Sequence, residues 1–140
     1  MADINLKVRL ILYNKGKILL LKQKKNQGGN YTLVGGTIEH TEYALQALIR
    51  EAYEEAGISL LEDDLQLVHV LHKRTRGNGH RITLYFKGSA WVGRLRTGEP
   101  NKFKGVEWFP LDNLPTNLSP TVHHVLQQYR DGIMYSEFRS

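Results

Sequence analysis

The sequence predicts a mixed α/β fold of the α+β type, in which strands and helices alternate without an internal linker. Two patterns indicate this fold class. Residues 4–13 place apolar side chains at every second position, as a β-strand does, whereas residues 42–56 place them at the spacing of an α-helix. Short turn segments separate such elements, and no repeat or low-complexity tract interrupts them. We therefore expect residues 1–140 to form one domain.

The N-terminal third of the chain predicts a β-hairpin followed by a shorter strand. Residues 4–13 and 17–22 flank a turn that contains asparagine and glycine, so we expect them to pair. A polar loop covers residues 24–30. Residues 31–38 then predict a short strand, which two adjacent glycines interrupt.

A helix is predicted for residues 42–56, and residues at both of its ends support it. Thr41 can cap the first turn, and Glu42 suits the positive end of the helix dipole. Gly57 follows the last helical position, where glycine commonly ends a helix. The predicted apolar face consists of Ala44, Leu45, Leu48, Ile49 and Ala52.

The second half of the chain predicts further strands and a final helix. Residues 65–73 and 80–87 are expected to form a hairpin around a glycine-rich turn at residues 76–79. The remaining predicted elements are a continuation of the sheet at 90–92, a short strand at 105–109 and a helix from Pro120 to about Arg130.

Composition excludes several classes of function. The 140 residues are 41% hydrophobic and include no cysteine, which excludes disulfides, thiolate metal sites and cysteine nucleophiles. No apolar run reaches the length of a membrane span, and the first residues lack the pattern of a signal peptide. We therefore expect a cytoplasmic protein without a membrane partner.

The distribution of charge is more informative than the net charge of +5 at pH 7. Residues 39–64 contain eight of the 14 acidic residues and one basic residue, Arg50. Such a segment is either a solvated helix face or a metal-binding patch opposite a basic surface that receives phosphates. The spacing of the acidic residues favours the second interpretation.

Three carboxylates lie on one face of the predicted helix. Glu54 and Glu55 follow Glu51 by three and four residues, so their side chains are neighbours. Because like charges repel there, folding alone gives little reason to collect them. An oxygen-rich set of ligands suits Mg²⁺ or Mn²⁺, which bind carboxylates together with substrate phosphates.

Two neighbouring features fit a metal site at this face. Arg50 precedes Glu54 by four residues and is expected to orient that carboxylate. Gly35 and Gly36 allow a tight backbone turn, which could direct a carbonyl oxygen towards the cation.

Residues 36–58 resemble the Nudix box. That pattern consists of glycine, five residues, glutamate, seven residues and then R-E-apolar-x-E-E-x-G-apolar, and every fixed position is present here. The resemblance extends to residues 31–36, which lead into the box, and to residues 107–115, which resemble the C-terminal strand and loop of many members. Val34 and Thr41 depart from it, because many members have proline and glycine there, but neither position supplies a charged ligand.

The resemblance implies a fold and a set of roles. The Nudix fold is a three-layer α-β-α sandwich with a central mixed β-sheet, in which the box forms a loop, a helix and a second loop. The implied cofactor is Mg²⁺, with Mn²⁺ as an alternative. The implied metal ligands are Glu51, Glu54, Glu55 and the carbonyl of Gly35, and the implied structural residues of the box are Gly36, Glu42, Arg50 and Gly57.

The same resemblance implies hydrolysis of a diphosphate bond in a small nucleotide by attack of water. Glu51, Glu54 and Glu55 are the expected catalytic residues, while the general base is left open, with Glu99 and Glu107 as further candidates. The candidates for binding substrate phosphates are Lys22, Lys24 and Arg81, for each of which a surface role is the alternative.

Three functions stay open at this point. The first is hydrolysis of a nucleoside triphosphate or of a modified nucleotide. The second is a Nudix-like module that binds nucleotides without catalysis, although such modules commonly lose one of the glutamates that this chain retains. The third is action on the 5′ end of RNA, which the basic residues around the hairpin of residues 65–87 would allow, although no nucleic acid is obligatory. A homodimer is compatible with the sequence.

Overall fold

The computed structural model describes residues 3–139, which form ten β-strands and two α-helices. The first six elements are β1 (Ile4–Asn14), β2 (Lys17–Gln23), β3 (Tyr31–Thr32), β4 (Val34–Thr37), α1 (Ala44–Ala56) and β5 (Ser59–Leu60). The others are β6 (Gln66–Arg74), β7 (His80–Gly88), β8 (Trp91–Val92), β9 (Phe103–Pro110), α2 (Pro120–Arg130) and β10 (Tyr135–Phe138). Within residues 3–139 no helix combines the length and the apolar character needed to cross a lipid bilayer.

The main sheet is mixed, as predicted, and β1 lies at its centre. Its strands follow the order β10-β6-β7-β1-β2-β3, with β4 also paired to β1 and β9 also paired to β2. The pairing of β1 with β7 is parallel, whereas the hairpin of β6 and β7 is antiparallel, as predicted. Strands β1 and β2 pair only next to their turn, at Tyr13 and Asn14 of β1, because β4 takes the place beside Lys7–Leu10.

Two helices cover opposite faces of this sheet, which confirms the three-layer architecture. Buried residues of α1 pack with Val8, Leu10 and Leu12 of β1, whereas buried residues of α2 pack with Ile11. Because β2 is covered on both faces, its four apolar residues are all buried, which explains its uninterrupted apolar run.

The start of α1 differs from the prediction. Thr41 does not cap the helix, which begins at Ala44 with Tyr43 at the capping position. The backbone N–H of Tyr43 donates to the side-chain oxygen of Gln46 at 2.8 Å, so the helix is capped from within its own first turn. Glu42 therefore precedes the helix and is available for a different contact. Gly57 ends the helix, as predicted.

Two short strands also differ from the prediction. Residues 91–92 do not continue the main sheet; they form β8, which pairs with β5 in a separate two-stranded sheet. The second difference is β10, which was not predicted and which pairs in parallel with β6. His69 of β6 is fully buried and fixes this edge, because its ring nitrogens lie 2.8 Å from the carbonyl oxygen of Ile133 and 2.8 Å from Oγ of Ser136.

Candidate functional site

The three carboxylates of α1 lie in the C-terminal half of the helix, where Glu51 and Glu55 approach strand β4. Their exposure differs strongly. Glu55 is only 6% exposed, whereas the side chain of Glu54 is 45% exposed and that of Glu51 is 13% exposed. The helix therefore presents one buried, one nearly buried and one accessible carboxylate.

Strand β4 passes very close to these carboxylates. The backbone N–H of Gly35 donates to Oε1 of Glu55 at 2.8 Å. A Cβ atom at residue 36 would lie 2.6 Å from Oε1 of Glu51, a distance that only glycine avoids. Gly35 and Gly36 therefore lie beside the helix, and this glycine pair brings the β4 backbone against the acidic face.

Arg50 holds the acidic segment together. Its Nε and Nη2 atoms lie 2.7 and 2.9 Å from the two carboxylate oxygens of Glu42, a bidentate pair. Its Nη1 atom lies 3.1 Å from Oε1 of Glu51 and 3.3 Å from Oε2 of Glu54, and its Nη2 donates to the Thr37 carbonyl at 3.2 Å. One guanidinium therefore connects α1, the loop before it and the end of β4.

Two basic residues at this site were not predicted. Arg9 of β1 donates to the carbonyl of Leu33 at 2.8 Å, and it is also placed beside Gly35, whose missing side chain leaves room for the arginine stem. Lys7, two residues earlier, lies on the same face of β1. In the sequence, Lys7 and Arg9 are charged residues at alternate positions of an apolar strand. The same pattern occurs in any strand that exposes one face to solvent, so it did not identify them as site residues.

Charge and burial shift the pKa values of this cluster in opposite directions. Burial raises the pKa of Glu55 to about 8, since it outweighs the opposing hydrogen bond from Gly35. Burial also raises the pKa of Glu51. In contrast, the hydrogen bond from Arg50, helped by the N–H of Glu39, lowers the pKa of Glu42 to about 2. Glu42 is therefore a permanent anion that anchors Arg50, whereas Glu55 forms no ion pair within residues 3–139 and the nearby charge of Arg9 offsets only part of the effect of burial.

The shift at Glu55 predicts a pH-dependent gain of stability from Glu55→Gln in metal-free protein. A folded-state pKa raised from 4.5 to about 8 means that ionised Glu55 destabilises the fold increasingly as the pH rises between those values. Glutamine stays neutral and can still accept a hydrogen bond from the backbone N–H of Gly35. In thermal unfolding with chelator, we expect no gain near pH 4.5 and a gain on the order of a few kcal/mol at pH 8.

The control for this prediction is Glu54→Gln, which makes the same change on the same helix at an exposed side chain. It should change the free energy of unfolding much less at every pH. A gain from Glu55→Gln that is the same at pH 4.5 and at pH 8 would contradict the role of burial.

The structure distinguishes the two further candidates for the general base. The loop before β9 approaches α1 so closely that the N–H of Gly98 donates to the backbone carbonyl of Glu55 at 2.9 Å. Glu99 follows directly, pairs with Lys102 at 3.3 Å, and contributes to the raised pKa values of Glu51 and Glu55. Glu107 instead lies on β9 and accepts a hydrogen bond from the hydroxyl of Tyr31 at 3.1 Å. Of the two, Glu99 is the one whose loop packs against α1 and whose charge raises the pKa values of Glu51 and Glu55.

The three basic residues predicted to bind substrate are separated in the fold. Lys22 is engaged, because its Nζ donates to the carbonyl of Gly29 at 2.7 Å and lies 4.8 Å from the ring centre of Tyr31. Lys24 caps a short 3-10 helix in the following loop. Arg81 lies on β7 and lines a cavity at the end of the β6–β7 hairpin. The structure thus does not bring Arg81 together with the two lysines.

The oxygen atoms around α1 offer an incomplete set of ligands for a cation. Among residues 3–139, no three acidic or histidine side chains are close enough to enclose a metal by themselves. A hard cation such as Mg²⁺ normally keeps several waters and takes substrate oxygens as well, so a partial carboxylate set is suitable for it. The candidate donors on α1 are Glu51, Glu54 and Glu55, and Arg50 offsets part of the charge of the first two.

Comparisons with known proteins agree with this geometry. A family model described as the NUDIX domain matches residues 4–129. The chain is 36% identical over 107 residues to the ADP-ribose pyrophosphatase of Methanocaldococcus jannaschii, a match that covers 75% of this chain and 61% of that protein. The chain therefore spans less than two thirds of the length of this relative.

Solved structures give the same result for the fold. The crystal structure of a MutT NUDIX hydrolase from Burkholderia pseudomallei superposes with a TM-score of 0.80 at 28% identity, covering 90% of this chain and 98% of that one. The solution structure of the ORF135 protein of E. coli superposes with a TM-score of 0.76 at 22% identity, covering 93% and 91%.

Proposed function

The chain belongs to the Nudix family, and on that premise we propose that it hydrolyses a diphosphate bond in a small nucleoside-diphosphate-linked molecule. The observation that carries this proposal is the acidic face of α1. Glu51 and Glu55 lie against the backbone of β4 there, and Arg50 pairs with Glu51 and Glu54. A surface with no chemistry to perform would gain stability by losing these like charges.

Glu51, Glu54 and Glu55 would hold the divalent cation, Mg²⁺ or Mn²⁺, together with oxygens of the substrate. The fourth proposed donor is the carbonyl oxygen of Gly35, the residue whose backbone N–H donates to Glu55. A bound cation neutralises diphosphate charge and lowers the pKa of a water molecule. The donor set fits such an ion because it contains only oxygen and because Glu54 remains accessible.

The remaining groups of the site would position the substrate and move a proton. Arg9 and Lys7 supply positive charge beside the carboxylates, where the diphosphate would lie. We propose Glu99 as the group that accepts a proton from the attacking water, since its loop packs against α1 through the N–H of Gly98 and its charge raises the pKa of Glu51. The leaving group is itself a phosphate and needs little help to depart.

An ADP-ribose-like diphosphate is the first substrate to test, because the curated relative named above is an ADP-ribose pyrophosphatase. The structural neighbour from Burkholderia pseudomallei is named a MutT NUDIX hydrolase, and we propose nucleoside triphosphates and modified nucleotides as the second class to test. A non-catalytic binding module is the less favoured alternative, since all three carboxylates of α1 are retained and braced.

The experiment is a substrate panel with Mg²⁺ or Mn²⁺ in which the products are separated and identified. ADP-ribose is expected to give AMP and ribose 5-phosphate, whereas a nucleoside triphosphate would give a nucleoside monophosphate and pyrophosphate. Binding of these nucleotides without release of any phosphate product would contradict the proposed hydrolysis and support the binding module instead.

A further inference from the structure

Helix α1 covers only part of its face of the main sheet. It packs mainly against β1, β4 and β5, so the half of that face formed by β7, β6 and β10 lies beyond it. The start of β1 is open as well, because Ile4 is 69% exposed and Leu6 is 47% exposed. Single exposed apolar residues are ordinary, whereas a continuous apolar patch marks a binding surface.

The strand registers show that these side chains belong to a continuous patch. Val8 of β1 packs with α1, so Leu6 and Ile4, at every second position before it, lie on the same face of the sheet. Side chains directly opposite one another in paired strands share a face. The pairings of β1 with β7, of β7 with β6 and of β6 with β10 therefore add three more apolar side chains, those of Ile82, Val70 and Tyr135. We call these five residues the open face.

The open face is large enough for an interface between proteins. It spans four strands about 4.8 Å apart and three rows of side chains about 6.8 Å apart, which gives on the order of 400 Å² of flat area. A standard interface buries about 800 Å² per partner, and part of that area is a polar rim. Within residues 3–139, Val70 and Ile82 are not among the side chains that build either core, so their apolar surface is available.

The polar side chains among these apolar residues already have partners. Nε2 of His72 forms a hydrogen bond with Nδ1 of His80 at 2.9 Å, and the hydroxyl of Tyr135 donates to Glu137 at 2.8 Å. The registers place His72 beside Ile82 on one side and beside Glu137 on the other. Groups that are already hydrogen-bonded cost less to cover than unpaired ones, so these side chains are compatible with a buried interface.

The two sides of the open face carry opposite charges. Arg74 lies on β6, level with Ile4 in the strand registers. Glu39 lies on the other side of β1, directly after Ile38, whose N–H donates to the carbonyl oxygen of Leu6 at 2.9 Å. The two charges therefore differ in height along the strands by one residue, or about 3.4 Å. Both side chains are exposed, and within residues 3–139 neither forms an ion pair.

This distribution of charge is complementary to itself. Sheets that pack face to face keep their strands within about 30° of each other. A two-fold axis between two copies and parallel to the strands turns one open face onto the other and exchanges its two sides. Arg74 of each copy then meets Glu39 of the other, so both charges gain a partner at the rim of an apolar centre.

We propose that the open face is the interface of a homodimer in which two copies of this chain pack sheet against sheet. A partner of different sequence is less favoured, because the charged rim already fits a second copy. The inference is independent of the proposed function, since it uses the part of the sheet that lies beyond α1 and none of the carboxylates of that helix.

The test is sedimentation equilibrium of the full chain from about 1 to 100 μM, which covers weak and moderate dimers. Wild type is expected to reach twice the chain mass of 16.1 kDa at the upper concentrations. Ile4→Glu and Leu6→Glu place a charge in the apolar centre, so each should raise the dimer dissociation constant at least about tenfold. Two variants keep the test valid if one folds poorly. Val92→Glu, at an exposed position of β8, is the matched control and should leave the dimer intact.

A reversal of charge tests the two-fold arrangement. Arg74→Glu or Glu39→Arg alone brings like charges together across the axis and should raise the dissociation constant about fivefold, the scale of an exposed ion pair. The double variant restores opposite charges and should dissociate like wild type. A double variant that is weaker than both single variants would overturn the arrangement.

Two further results would overturn the proposal. Wild type that remains monomeric over the whole concentration range would do so and would favour a different partner for the open face. A dimer that both Ile4→Glu and Leu6→Glu leave intact would place the interface on another surface. Hydrolysis is measured separately on the same samples, so a protein without hydrolytic activity would contradict the proposed function and leave the sedimentation result decisive for the interface.

Discussion

Replacing Glu54 or Glu55 by glutamine is expected to lower turnover about a hundredfold or more on the best substrate, the scale on which a major catalytic group acts. Each change keeps the size of the side chain and removes one negative charge that a bound cation needs. Glutamine at position 55 can still accept a hydrogen bond from the backbone N–H of Gly35, so the backbone of β4 should keep its place. The measurement is steady-state turnover at saturating metal and substrate.

The control for these variants is Glu62→Gln, which makes the same chemical change at an exposed acidic residue outside α1. It should retain wild-type turnover. Near-normal rates in both α1 variants would mean that the catalytic site lies elsewhere in the fold.

Arg50→Lys is expected to weaken metal affinity and to lower turnover together, by roughly ten- to a hundredfold, as losses of residues that orient metal ligands typically do. Lysine keeps the charge but cannot reproduce the bidentate contact with Glu42 while also reaching Glu51 and the carbonyl of Thr37. Substrate affinity at saturating metal should change little, because these contacts are all within the protein. Metal activation curves and KM are measured on the same variant.

The matched variant is Glu42→Gln, which weakens the same pair from its other side without changing any proposed metal ligand. It should shift the metal activation curve in the same direction as Arg50→Lys. A large increase in KM for Arg50→Lys with an unaltered metal curve would show that Arg50 binds the substrate phosphates directly.

Local sequence patterns predicted most of the strands and helices, because each of these patterns depends only on residues that are close together in the chain. The alternation in β1, the helical spacing in α1 and the proline at the start of α2 each report on neighbouring residues only. The three carboxylates could be predicted for the same reason, since a helix brings residues three and four apart onto one face. The resemblance to the Nudix box indicated which loop would face them.

What could not be predicted depends on contacts between distant segments. Glu42 looked like a residue of the first helical turn, and its pairing with Arg50 becomes visible only when the loop folds back along α1. Arg9 and Lys7 looked like the solvent side of a strand, because nothing nearby in sequence reveals that β4 lies alongside them. The position of Glu99 likewise depends on the close packing of its loop against α1.

The unpredicted strand β10 illustrates the same limit at the edge of the sheet. Its residues are largely exposed and show no apolar alternation, so local propensity gives no signal. It is held instead by hydrogen bonds from buried His69 to Ile133 and Ser136, more than sixty residues away. The C-terminal segment that includes β10 also supplies Phe138 and Arg139 to the cavity at the end of the β6–β7 hairpin.

The most direct test of the account is the metal dependence of hydrolysis by the purified protein. After treatment with chelator and its removal, the protein is expected to release no phosphate product from any substrate of the panel. Addition of Mg²⁺ or Mn²⁺ should restore turnover in wild type, with a much smaller recovery in Glu54→Gln. Undiminished turnover by protein from which all bound metal has been removed would contradict the role assigned to the carboxylates of α1.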